Sequence, residues 1–442
     1  MAVITNAPRG TQDVLPSQSY KWKHIENVAR KISSLYGFKE IRFPTFEHTE
    51  LFQRSVGDTT DVVQKEMYTF NDKGDRSITL RPEGTAGVVR AVVENGLLND
   101  ALPLKVSYLV SCFRYEKPQA GRLREFHQFG AEMFGSSSPA ADASLIAMVK
   151  NIFDFLGIQN ISLEINSIGC PKCRAKYHEA LMKYFEGNTD RLCETCKGRL
   201  EKNPMRILDC KSPICSEIAK GAPKIIDFLC DECSEHFDGV KKRLDMLDVK
   251  YTVNPSIVRG LDYYTKTVFE FVSSNIGAQG TVCGGGRYDG LVEQIGGQPT
   301  PALGFAVGIE RLILLMDACG CEYEKDNSCD IYVASIGETA SLKAFEMVAN
   351  LRNEGFFAEC DVMGRSVKAQ MKYADKIGAK YSMVLGDSEI ESGKATLKNM
   401  ADGTTCEVDL ADVSQKLYDS QIDSTMGSII DLLGGEFPNL SL

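Results

Sequence analysis

Hydrophobic and polar positions in the first 168 residues predict short strands and amphipathic helices in mixed order. Apolar residues recur at helical spacing over Trp22–Leu35, with Ser17 as the predicted N-cap and Gly37 as the helix stop. Two longer strand-like runs, Val106–Tyr115 and Glu125–Phe134, flank a polar, basic loop and predict a long hairpin. The other elements predicted in this part are strands at Phe38–Phe43, Met67–Phe70, Ile78–Leu80 and Ile161–Ile165, and helices at Thr85–Asn95 and Ala140–Leu156.

A change of composition at Cys170 marks a separate insertion. Eight of the fifteen cysteines lie between Cys170 and Cys233, among lysines and glutamates at helical spacing. Strand patterns return after residue 250, and a long apolar run occupies Phe305–Ala318. The strands predicted there are Tyr251–Val258, Val268–Val272 and Thr281–Cys283, and we interpret Gly284–Gly286 as a turn or a close backbone approach.

The last part of the chain follows a charged linker at Cys319–Ser328 and alternates strands with helices. This alternation predicts a mostly parallel sheet in a small α/β domain of about 100 residues. The predicted strands are Asp330–Ser335, Phe357–Cys360, Tyr381–Leu385, Thr396–Asn399 and Thr405–Val408, and the predicted helices are Ala340–Glu354 and Val367–Ile377.

Length and composition narrow the class of protein. A chain of 442 residues is too long for one hydrophobic core, so several domains are expected. The content of 43% hydrophobic and 25% charged residues is globular, and the net charge of −10 gives no global nucleic-acid signature. There is no signal-peptide pattern and no apolar run of membrane-spanning length. Without a secretion signal, the cysteines indicate reduced thiols or metal ligands, so we expect a soluble cytoplasmic protein.

The stretch Ile257–Phe271 places an arginine and two tyrosines between strand-like runs. Arg259 follows two residues predicted as strand, and its guanidinium is costly to bury without a partner. Either a carboxylate neutralises it, as in a structural Arg–Asp pair, or it awaits an anionic ligand. Tyr263 and Tyr264 would point to opposite faces of a strand, so that one lines a pocket while the other packs.

The hairpin at Phe113–Glu132 carries more polar groups than a structural strand face needs. Arg114 and Glu116 share one face of the outgoing strand. One face of the return strand carries Phe126, Gln128, Gly130 and Glu132. If the two faces coincide, the set suits a nucleotide, with an arginine for phosphate, a ring to stack on a base and Glu116 for an amino group.

A strand-to-helix turn at Thr79–Gly87 is a further candidate. Thr85 is the predicted N-cap, and Glu83 would project a carboxylate near the strand ends. The alternative is a capping turn in which Arg81 and Glu83 form a solvated pair of little energetic value.

A second strand-to-helix turn, at Gly304–Leu312, carries one arginine. Arg311 near a helix N-terminus adds to an anion site, or it bonds to Glu310 or a helix end. The sequence has no phosphate-binding loop of the Gly-x-x-x-x-Gly-Lys type. ATP, if bound, must therefore be held by arginines on an antiparallel sheet.

Together these segments resemble the histidyl-tRNA synthetases, which are class II aminoacyl-tRNA synthetases. The segments that carry the resemblance are Arg9–Asp13, Phe43–Phe52, Phe113–Glu132, Val258–Tyr264, Gly285–Gly290 and Gly304–Leu312. It implies an α+β catalytic domain, an antiparallel sheet flanked by helices, with a helical, cysteine-rich insertion and a C-terminal α/β anticodon-binding domain. The expected boundaries are 1–168 with 246–320 for the catalytic domain, 169–245 for the insertion, 328–423 for the anticodon-binding domain and 424–442 for the tail.

The resemblance also implies an activity and its partners. L-histidine would be activated with ATP and Mg²⁺ to histidyl-adenylate and transferred to the 3′ end of tRNA(His), by a cytoplasmic homodimer with no membrane partner. The implied catalytic residues are Arg259, Arg114 and Glu83. The implied ATP-binding residues are Arg114, Glu116, Arg122, Phe126 and Arg311, and the implied histidine-binding residues are Glu83, Thr85, Gln128, Glu132, Arg259, Tyr263 and Tyr264.

The hairpin loop would meet the tRNA acceptor end through Lys117 and Gln119. The family usually has arginine where this chain has Lys117, which keeps the charge and loses the fork geometry. The sequence leaves two other functional hypotheses open. One is a non-catalytic paralogue that serves as a regulatory subunit of a phosphoribosyltransferase, and the other is an RNA-sensing domain fused to a kinase, although no kinase motif occurs.

The spacing of the cysteine pairs predicts a metal site in the insertion. Cys170-x₂-Cys173 and Cys193-x₂-Cys196 are separated by nineteen residues, which is the spacing of a four-cysteine structural zinc site. Reduced, partly buried thiols are the alternative. Other pairings are allowed by Cys210, Cys215, Cys230 and Cys233.

Overall fold

The computed structural model describes residues 5–57, 60–208, 210, 212–276, 280–325, 328–420 and 422 of the 442-residue chain. The chain divides into two compact units, Met1–Lys325 and Asp326–Leu442. The predicted tail, 424–442, lies outside the described residues. Among the described residues, no helix is both long and apolar enough to cross a membrane.

The first unit contains two sheets and the helices that cover them. Its strands are β1 (Lys39–Glu40), β2 (Phe46–His48), β3 (Tyr68–Asn71), β4 (Ser77–Leu80), β5 (Leu104–Phe113), β6 (Glu125–Phe134), β7 (Ser162–Ser167), β8 (Thr252–Val253), β9 (Thr265–Val272), β10 (Thr281–Arg287) and β11 (Ala302–Gly308). Its helices are α1 (Pro16–Leu35), α2 (Thr49–Val56), α3 (Thr85–Glu94), α4 (Pro139–Phe155), α5 (Pro171–Glu186), α6 (Glu194–Lys202), α7 (Pro213–Lys220), α8 (Asp231–Met246), α9 (Leu291–Gln294) and α10 (Ile309–Cys319).

Within the described residues, the main sheet has eight strands in the order β1-β5-β6-β11-β10-β9-β7-β8. The pairings from β5 to β7 are antiparallel, and only the edge pairs β1–β5 and β7–β8 are parallel. The predicted hairpin is confirmed, because β5 and β6 pair from Leu104 opposite Phe134 to Phe113 opposite Glu125. Strands β2, β4 and β3 form a separate small antiparallel sheet.

The two faces of the main sheet are covered differently. Phe129, Ala131 and Met133 of β6 pack into a large core with residues of α1, α4, α8 and α10. Tyr108 and Val110 of β5 belong to a second core that includes residues of α3. Since alternate residues of a strand point to opposite faces, the polar even-numbered positions of β6 face away from the large helical layer. The candidate site lies on that side.

The insertion is helical, as expected. Its helices α5, α6 and α7 enclose a small core that includes Tyr177, Leu181, Phe185 and Ile218. The apolar face of α8 packs instead with α4 in the large core of the catalytic sheet. The chain therefore returns from the insertion along a helix that already belongs to the sheet's helical layer.

The second unit is a small α/β domain with its own apolar core. Its elements are β12 (Ile331–Ser335), α11 (Glu338–Asn353), β13 (Ala358–Cys360), α12 (Val367–Lys376), β14 (Tyr381–Leu385), α13 (Asp387–Ser392), β15 (Lys394–Asn399) and β16 (Thr405–Asp409). The strand order is β13-β12-β14-β15-β16. The sheet is mixed rather than mostly parallel, because β12 pairs in parallel with β13 and β14, whereas the β14–β15 and β15–β16 pairs are antiparallel.

Several local predictions are wrong for identifiable reasons. The N-cap of α1 is Leu15 and not Ser17, because Pro16 takes the first helical position, where its missing N–H costs nothing. The predicted strand at Phe38–Phe43 pairs with β5 only over Lys39–Glu40.

The predicted strand at Tyr251–Val258 ends at Val253. Beyond it the chain turns, and the side-chain amide of Asn166 donates to the carbonyls of Pro255 and Ile257, both at 3.3 Å. Gly284–Gly286 lie within β10, so the close backbone approach is confirmed and the turn is not.

Candidate active site

One cavity in the first unit collects most of the side chains that the sequence singled out. It lies on the polar side of the main sheet, over the neighbouring strands β6, β11 and β10 and beside the loop that joins β5 to β6. The predicted residues that line it are Glu83, Thr85, Arg114, Glu116, Arg122, Phe126, Gln128, Arg259, Tyr263, Tyr264 and Arg311. These residues come from segments up to 228 positions apart (Glu83 to Arg311), so the fold itself assembles the set.

Arg114 lies just beyond the end of β5, in the loop that follows it. Its Nε donates to the carbonyl of Pro82 at 2.8 Å, and its guanidinium carbon lies 5.4 Å from the ring centre of Phe126. Glu116 is 3.9 Å from a terminal nitrogen of Arg114 and also pairs with Arg122. The sequence placed Arg114 and Glu116 on the strand, but they line the cavity from the loop.

Arg311 extends the group of cations from the first turn of α10. It donates to the carbonyl of Thr281. Burial lowers the pKa of Arg311, and the nearby Arg122 cation lowers it further. The sequence offered a bond between Arg311 and Glu310 as an alternative. Glu310 has a different partner, because its carboxylate accepts from the backbone N–H of His127 at 3.0 Å. Converging cations that disfavour one another are typical of a site that receives an anion.

Arg259 pairs with Glu270 on β9. Burial disfavours the Arg259 cation, and Tyr264 and Glu270 raise its pKa above the ordinary value. Its Nε is buried and has no hydrogen-bond partner among the described residues. The predicted structural Arg–Asp pair is wrong, because Asp262 accepts instead from Arg206 of the insertion at 3.0 Å.

Gly284 makes room for the Arg259 side chain. A Cβ atom at this position would lie 2.3 Å from a terminal nitrogen of the guanidinium. Neighbouring Gly285 has a similar constraint, with the Gly304 carbonyl oxygen 2.4 Å from a Cβ at that position. Gly284 therefore leaves room for the Arg259 guanidinium beside β10, and Gly285 allows β11 to approach closely.

Glu83 caps helix α3. Its two carboxylate oxygens accept from the backbone N–H groups of Thr85 and Ala86, both at 2.8 Å. Burial raises the pKa of Glu83, and these two hydrogen bonds oppose the rise. The predicted capping role of Thr85 is wrong, since the N-cap residue is Gly84 and the Thr85 hydroxyl donates to Glu132.

The sequence left open a solvated ion pair between Arg81 and Glu83, and this interpretation is wrong. Arg81 is buried, its Nε donates to the carbonyl of Ser111 at 2.7 Å, and it also donates to the carbonyl of Phe43 at 2.9 Å. Arg81 therefore joins the ends of β4 and β5, and Glu83 is available to the helix.

Glu132 lies behind the cavity wall and does not line it. Its carboxylate accepts from the hydroxyls of Thr85 at 2.9 Å, Tyr108 at 3.0 Å and Tyr288 at 2.6 Å. Complete burial raises the pKa of Glu132 to about 8, although the three hydroxyl bonds lower it. A Cβ at Gly304 would overlap this carboxylate. Glu132 thus fixes the orientation of the Thr85 hydroxyl by accepting its hydrogen bond.

Tyr263 and Tyr264 precede β9 and are not part of it. Both are buried, both line the cavity, and their ring centres are 4.7 Å apart. The prediction that one lines a pocket while the other packs is therefore wrong. It assumed a strand, in which neighbouring side chains diverge.

Lys117 and Gln119 are exposed at the hairpin loop and lie outside the cavity lining. Gln119 and Arg122 exchange backbone hydrogen bonds of 3.0 and 2.9 Å, which close the loop into a tight turn. The fold thus presents Lys117 and Gln119 to solvent while Arg122 turns back toward the cavity.

The predicted cysteine set is wrong. Cys170 and Cys173 lie together with Cys230 and Cys233, and the second pair, Cys193 with Cys196, lies together with Cys210 and Cys215. Each predicted pair thus belongs to a different cluster, because the 16-residue helix α5 lies between the two pairs along the chain and each pair meets cysteines from later in the insertion. The sulfurs of each cluster are within 4.8 Å of one another.

Three residues of the site were missed from sequence. Glu270 is a single acid within the apolar alternation of β9, and this break in the pattern was a usable signal. Tyr108 and Tyr288 look like ordinary core aromatics, and only the fold brings their hydroxyls to Glu132.

Comparison with known proteins agrees with this architecture. The chain matches the family described as histidyl-tRNA synthetase over residues 10–172 and 219–312, and the anticodon binding domain over 330–419. A histidine–tRNA ligase of Acetivibrio thermocellus is 58% identical over 415 residues, which cover 94% of this chain and 100% of that protein. A histidine–tRNA ligase of Clostridium novyi is 58% identical over 409 residues, 92% of this chain and 97% of that protein.

A solved structure agrees as well. The crystal structure of apo histidyl-tRNA synthetase from S. aureus has a TM-score of 0.81 and 40% sequence identity, and the match covers 94% of this chain and 100% of that one. The fold is that of a class II aminoacyl-tRNA synthetase with a C-terminal anticodon-binding domain. The chain belongs to the histidyl-tRNA synthetase family, and the resemblance seen in the sequence is confirmed.

Proposed function

We propose that the cavity binds ATP and L-histidine and joins them as histidyl-adenylate, from which histidine passes to the 3′ end of tRNA(His). The observation that carries this proposal is the convergence of four arginines on one cavity, Arg114, Arg122, Arg259 and Arg311. Relatives named histidine–tRNA ligase, 58% identical over nearly the whole chain, support the same reaction.

The hairpin side of the cavity suits the nucleotide. Phe126 offers a ring for the adenine, and Glu116 offers a carboxylate acceptor for its amino group. Arg122 and Arg311 hold the β and γ phosphates in this proposal, and Arg114 holds the α-phosphate. Mg²⁺ prefers carboxylate and phosphate oxygens, and the carboxylate of Glu310, which also accepts from His127, lines the same cavity, so the triphosphate oxygens with this carboxylate would suit the ion.

The opposite end suits a small polar amino acid. Glu83 and Thr85 receive its amino group, and Gln128, Tyr263 and Tyr264 surround its side chain. Glu132 acts on this pocket through Thr85, whose hydroxyl it orients at 2.9 Å. A pocket built of buried hydrogen-bonding groups rejects analogues that leave those groups unpaired.

The reaction places new negative charge on the α-phosphate as the histidine carboxylate attacks it. Arginines already held in place stabilise that charge without reorganisation. Arg114 is held by the Pro82 carbonyl, and Arg259 by Glu270 and by the space at Gly284. The arrangement therefore favours the transition state over the ground state.

Arg259 gives the sharpest test. Arg259→His is expected to lower histidine-dependent ATP–pyrophosphate exchange by about 10²–10³, the usual effect of losing one such donor. The substitution also leaves Glu270 without its cation, so some stability is lost as well.

A double variant separates the two effects. Arg259→His with Glu270→Gln removes the unpaired carboxylate, so its thermal stability is expected to recover while exchange stays low. Near wild-type exchange in Arg259→His would refute the assignment. No exchange by the wild-type protein with any amino acid would favour the non-catalytic paralogue.

We also propose a homodimer and, because tRNA charging serves translation, a cytoplasmic location. The small sheet supports the dimer, because Phe46 and Phe70 expose 56% and 49% of their surface on it. Large apolar side chains exposed on one sheet face are typical of an interaction surface. Light scattering on a Phe46→Glu, Phe70→Glu variant tests this, and an unchanged mass would place the contact elsewhere.

A further inference from the structure

The cysteines of the insertion form two compact clusters, which we call the base cluster (Cys170, Cys173, Cys230 and Cys233) and the distal cluster (Cys193, Cys196, Cys210 and Cys215). Each cluster combines two inner, buried cysteines with two outer ones that are partly exposed. Together they account for eight of the fifteen cysteines of the chain. Reduced thiols that merely fill an apolar core have no reason to converge in two groups of four.

All sulfurs of each cluster lie within 4.8 Å of one another, and the shortest separations are those expected around a single tetrahedral ion. Cys170 Sγ lies 3.6 Å from Cys173 Sγ and 4.0 Å from Cys230 Sγ, and Cys193 Sγ lies 3.9 Å from Cys210 Sγ. Four sulfurs at the usual Zn–S length of about 2.3 Å in tetrahedral geometry are about 3.8 Å apart. Disulfides require sulfurs about 2.05 Å apart, and all eight cysteines are free.

The backbone around each cluster is arranged to stabilise thiolates. Cys170, Cys193 and Cys230 are the N-cap residues of α5, α6 and α8, and their partners three residues later lie in the first helical turn. A helix N-terminus favours negative charge and therefore the thiolate form that metals bind.

Backbone N–H groups reach across each cluster as well. The N–H of Cys230 donates to Cys173 Sγ at 3.1 Å, and the N–H of Cys193 donates to Cys215 Sγ at 3.2 Å. Such bonds link the two halves of each cluster and support the negative charge on the ligating sulfurs, as the outer hydrogen bonds of metal sites do.

We propose that the insertion holds two structural zinc ions, one in each cluster. Four thiolates in tetrahedral geometry select zinc or iron–sulfur chemistry, and the separations suit one ion rather than a polynuclear cluster. Closed four-cysteine sites leave no open position, so the role is structural rather than catalytic. The family match also breaks off between residues 172 and 219, which is where the distal cluster lies.

The base cluster joins the strand that enters the insertion to the helix that leaves it. Beside it, the N–H of Lys266 donates to the carbonyl of Gly169 at 2.9 Å, and Arg174 donates to the carbonyl of Tyr264 at 3.3 Å. Lys266 has φ of +48°, which a residue with a side chain adopts only when its surroundings hold it there. The base cluster therefore supports the backbone that leads from the two site tyrosines into β9.

The distal cluster supports the loop that follows Arg259. The chain between Cys196 and Cys210 carries Arg206, which donates to the carbonyl of Gly260 at 2.7 Å and to Asp262 at 3.0 Å. Only a small apolar core surrounds this segment. A zinc ion at the distal cluster would fix both ends of the segment that carries Arg206, and the bond from Asn203 to Asp262 at 3.3 Å adds to the contact with the loop.

Metal content decides the proposal. Full-length protein produced in zinc-supplemented medium without a histidine tag is expected to hold two zinc ions per chain by plasma mass spectrometry. X-ray absorption at the zinc edge is expected to show four sulfur neighbours at about 2.3 Å. Zinc well below one ion per chain, or iron in its place, would overturn the proposal.

Paired variants assign each ion to its cluster. Cys173→Ser with Cys233→Ser, and Cys196→Ser with Cys215→Ser, are each expected to lower the content from two ions to one. Cys406→Ser is the matched control, since this cysteine is exposed in the second unit, and it should keep both ions. Unchanged zinc in either double variant would remove that cluster from the proposal.

A measurement on the wild-type protein covers the case in which a variant does not fold. Titration with a mercurial reagent, followed with a zinc-sensitive dye, is expected to release two ions per chain as the eight thiols react. Release of none overturns both sites. For the distal variant, hydrogen exchange at residues 259–264 is expected to rise, and unchanged protection would refute the supporting role of that ion.

Discussion

At the residue scale, the site depends on positions where no side chain is tolerated. A Cβ at Gly284 would meet the Arg259 guanidinium, and one at Gly130 would lie 2.3 Å from the ring of Tyr108. The buried Tyr108 ring cannot give way by a small rotation, whereas the Arg259 guanidinium is the end of a flexible side chain and would be displaced from its position. The glycines therefore determine where the charged and aromatic groups of the cavity lie.

Gly284→Ala is expected to displace Arg259 without removing it. Histidine-dependent pyrophosphate exchange should fall by about 10²–10³, as for the loss of one transition-state donor, while the KM for ATP changes less. Gly290→Ala is the control, because nothing lies within 4 Å of a Cβ there. Equal exchange in the two variants would show that the position of Arg259 is not critical.

Glu132 predicts a pH dependence of stability. Its pKa is about 8 in the folded protein and near the ordinary 4.5 when unfolded, so between these values only the folded state holds the proton. Stability should therefore fall as the pH rises from about 4.5 to 8. Urea unfolding of wild type and Glu132→Gln between pH 5.5 and 8 checks this. The variant should lose less stability over the range, and parallel curves would mean that Glu132 is ionised throughout.

The residue types of the site were predictable because they break the binary pattern. Arg114, Arg259 and Arg311 lie in apolar or strand-like surroundings, where a cation signals function. Their partners were not predictable, because pairing Arg259 with Glu270 depends on a turn that the sequence made look like a strand. The wrong cysteine grouping has the same cause, since spacing along the chain does not fix which helix ends meet.

At the scale of elements, α3 shows how one side chain serves both a helix and a site. Glu83 accepts from two of the N–H groups that a helix start leaves unpaired. The helix was predicted well, from its apolar spacing and Gly96 after its end. The cap was assigned to the wrong residue, because Glu83 lies one position before the N-cap and reaches forward over Gly84.

Glu83→Ala should therefore destabilise the protein as well as the reaction. Loss of a helix cap costs about 1–2 kcal/mol of unfolding free energy. Ser17→Ala at the start of α1 is the matched control, because the N-cap there is Leu15, with no side-chain bond, and little change is expected. Urea unfolding at neutral pH measures both. Equal losses would mean that Glu83 adds nothing to α3.

At the scale of the whole molecule, the cavity lies within the first unit, because its lining runs from Val62 to Arg311. The second unit has its own core and matches the anticodon binding domain over 330–419. The division was predictable from the charged linker and the change to alternating strands and helices. The mixed character of the second unit's sheet was not predictable, since the strand direction reverses at β15 and again at β16.

This division predicts separable activities. A fragment of residues 1–325 keeps every lining residue of the cavity, so it should catalyse histidine-dependent pyrophosphate exchange at a rate near that of the full chain. Its aminoacylation of tRNA(His) should fall at least tenfold in kcat/KM, since the loss of about 1.4 kcal/mol of tRNA contact is enough for that. A fragment ending at residue 300 also lacks β11 and Arg311 and should lose both activities. A folded 1–325 fragment without exchange would show that the second unit contributes to activation, and unchanged aminoacylation would show that tRNA is held by the first unit alone.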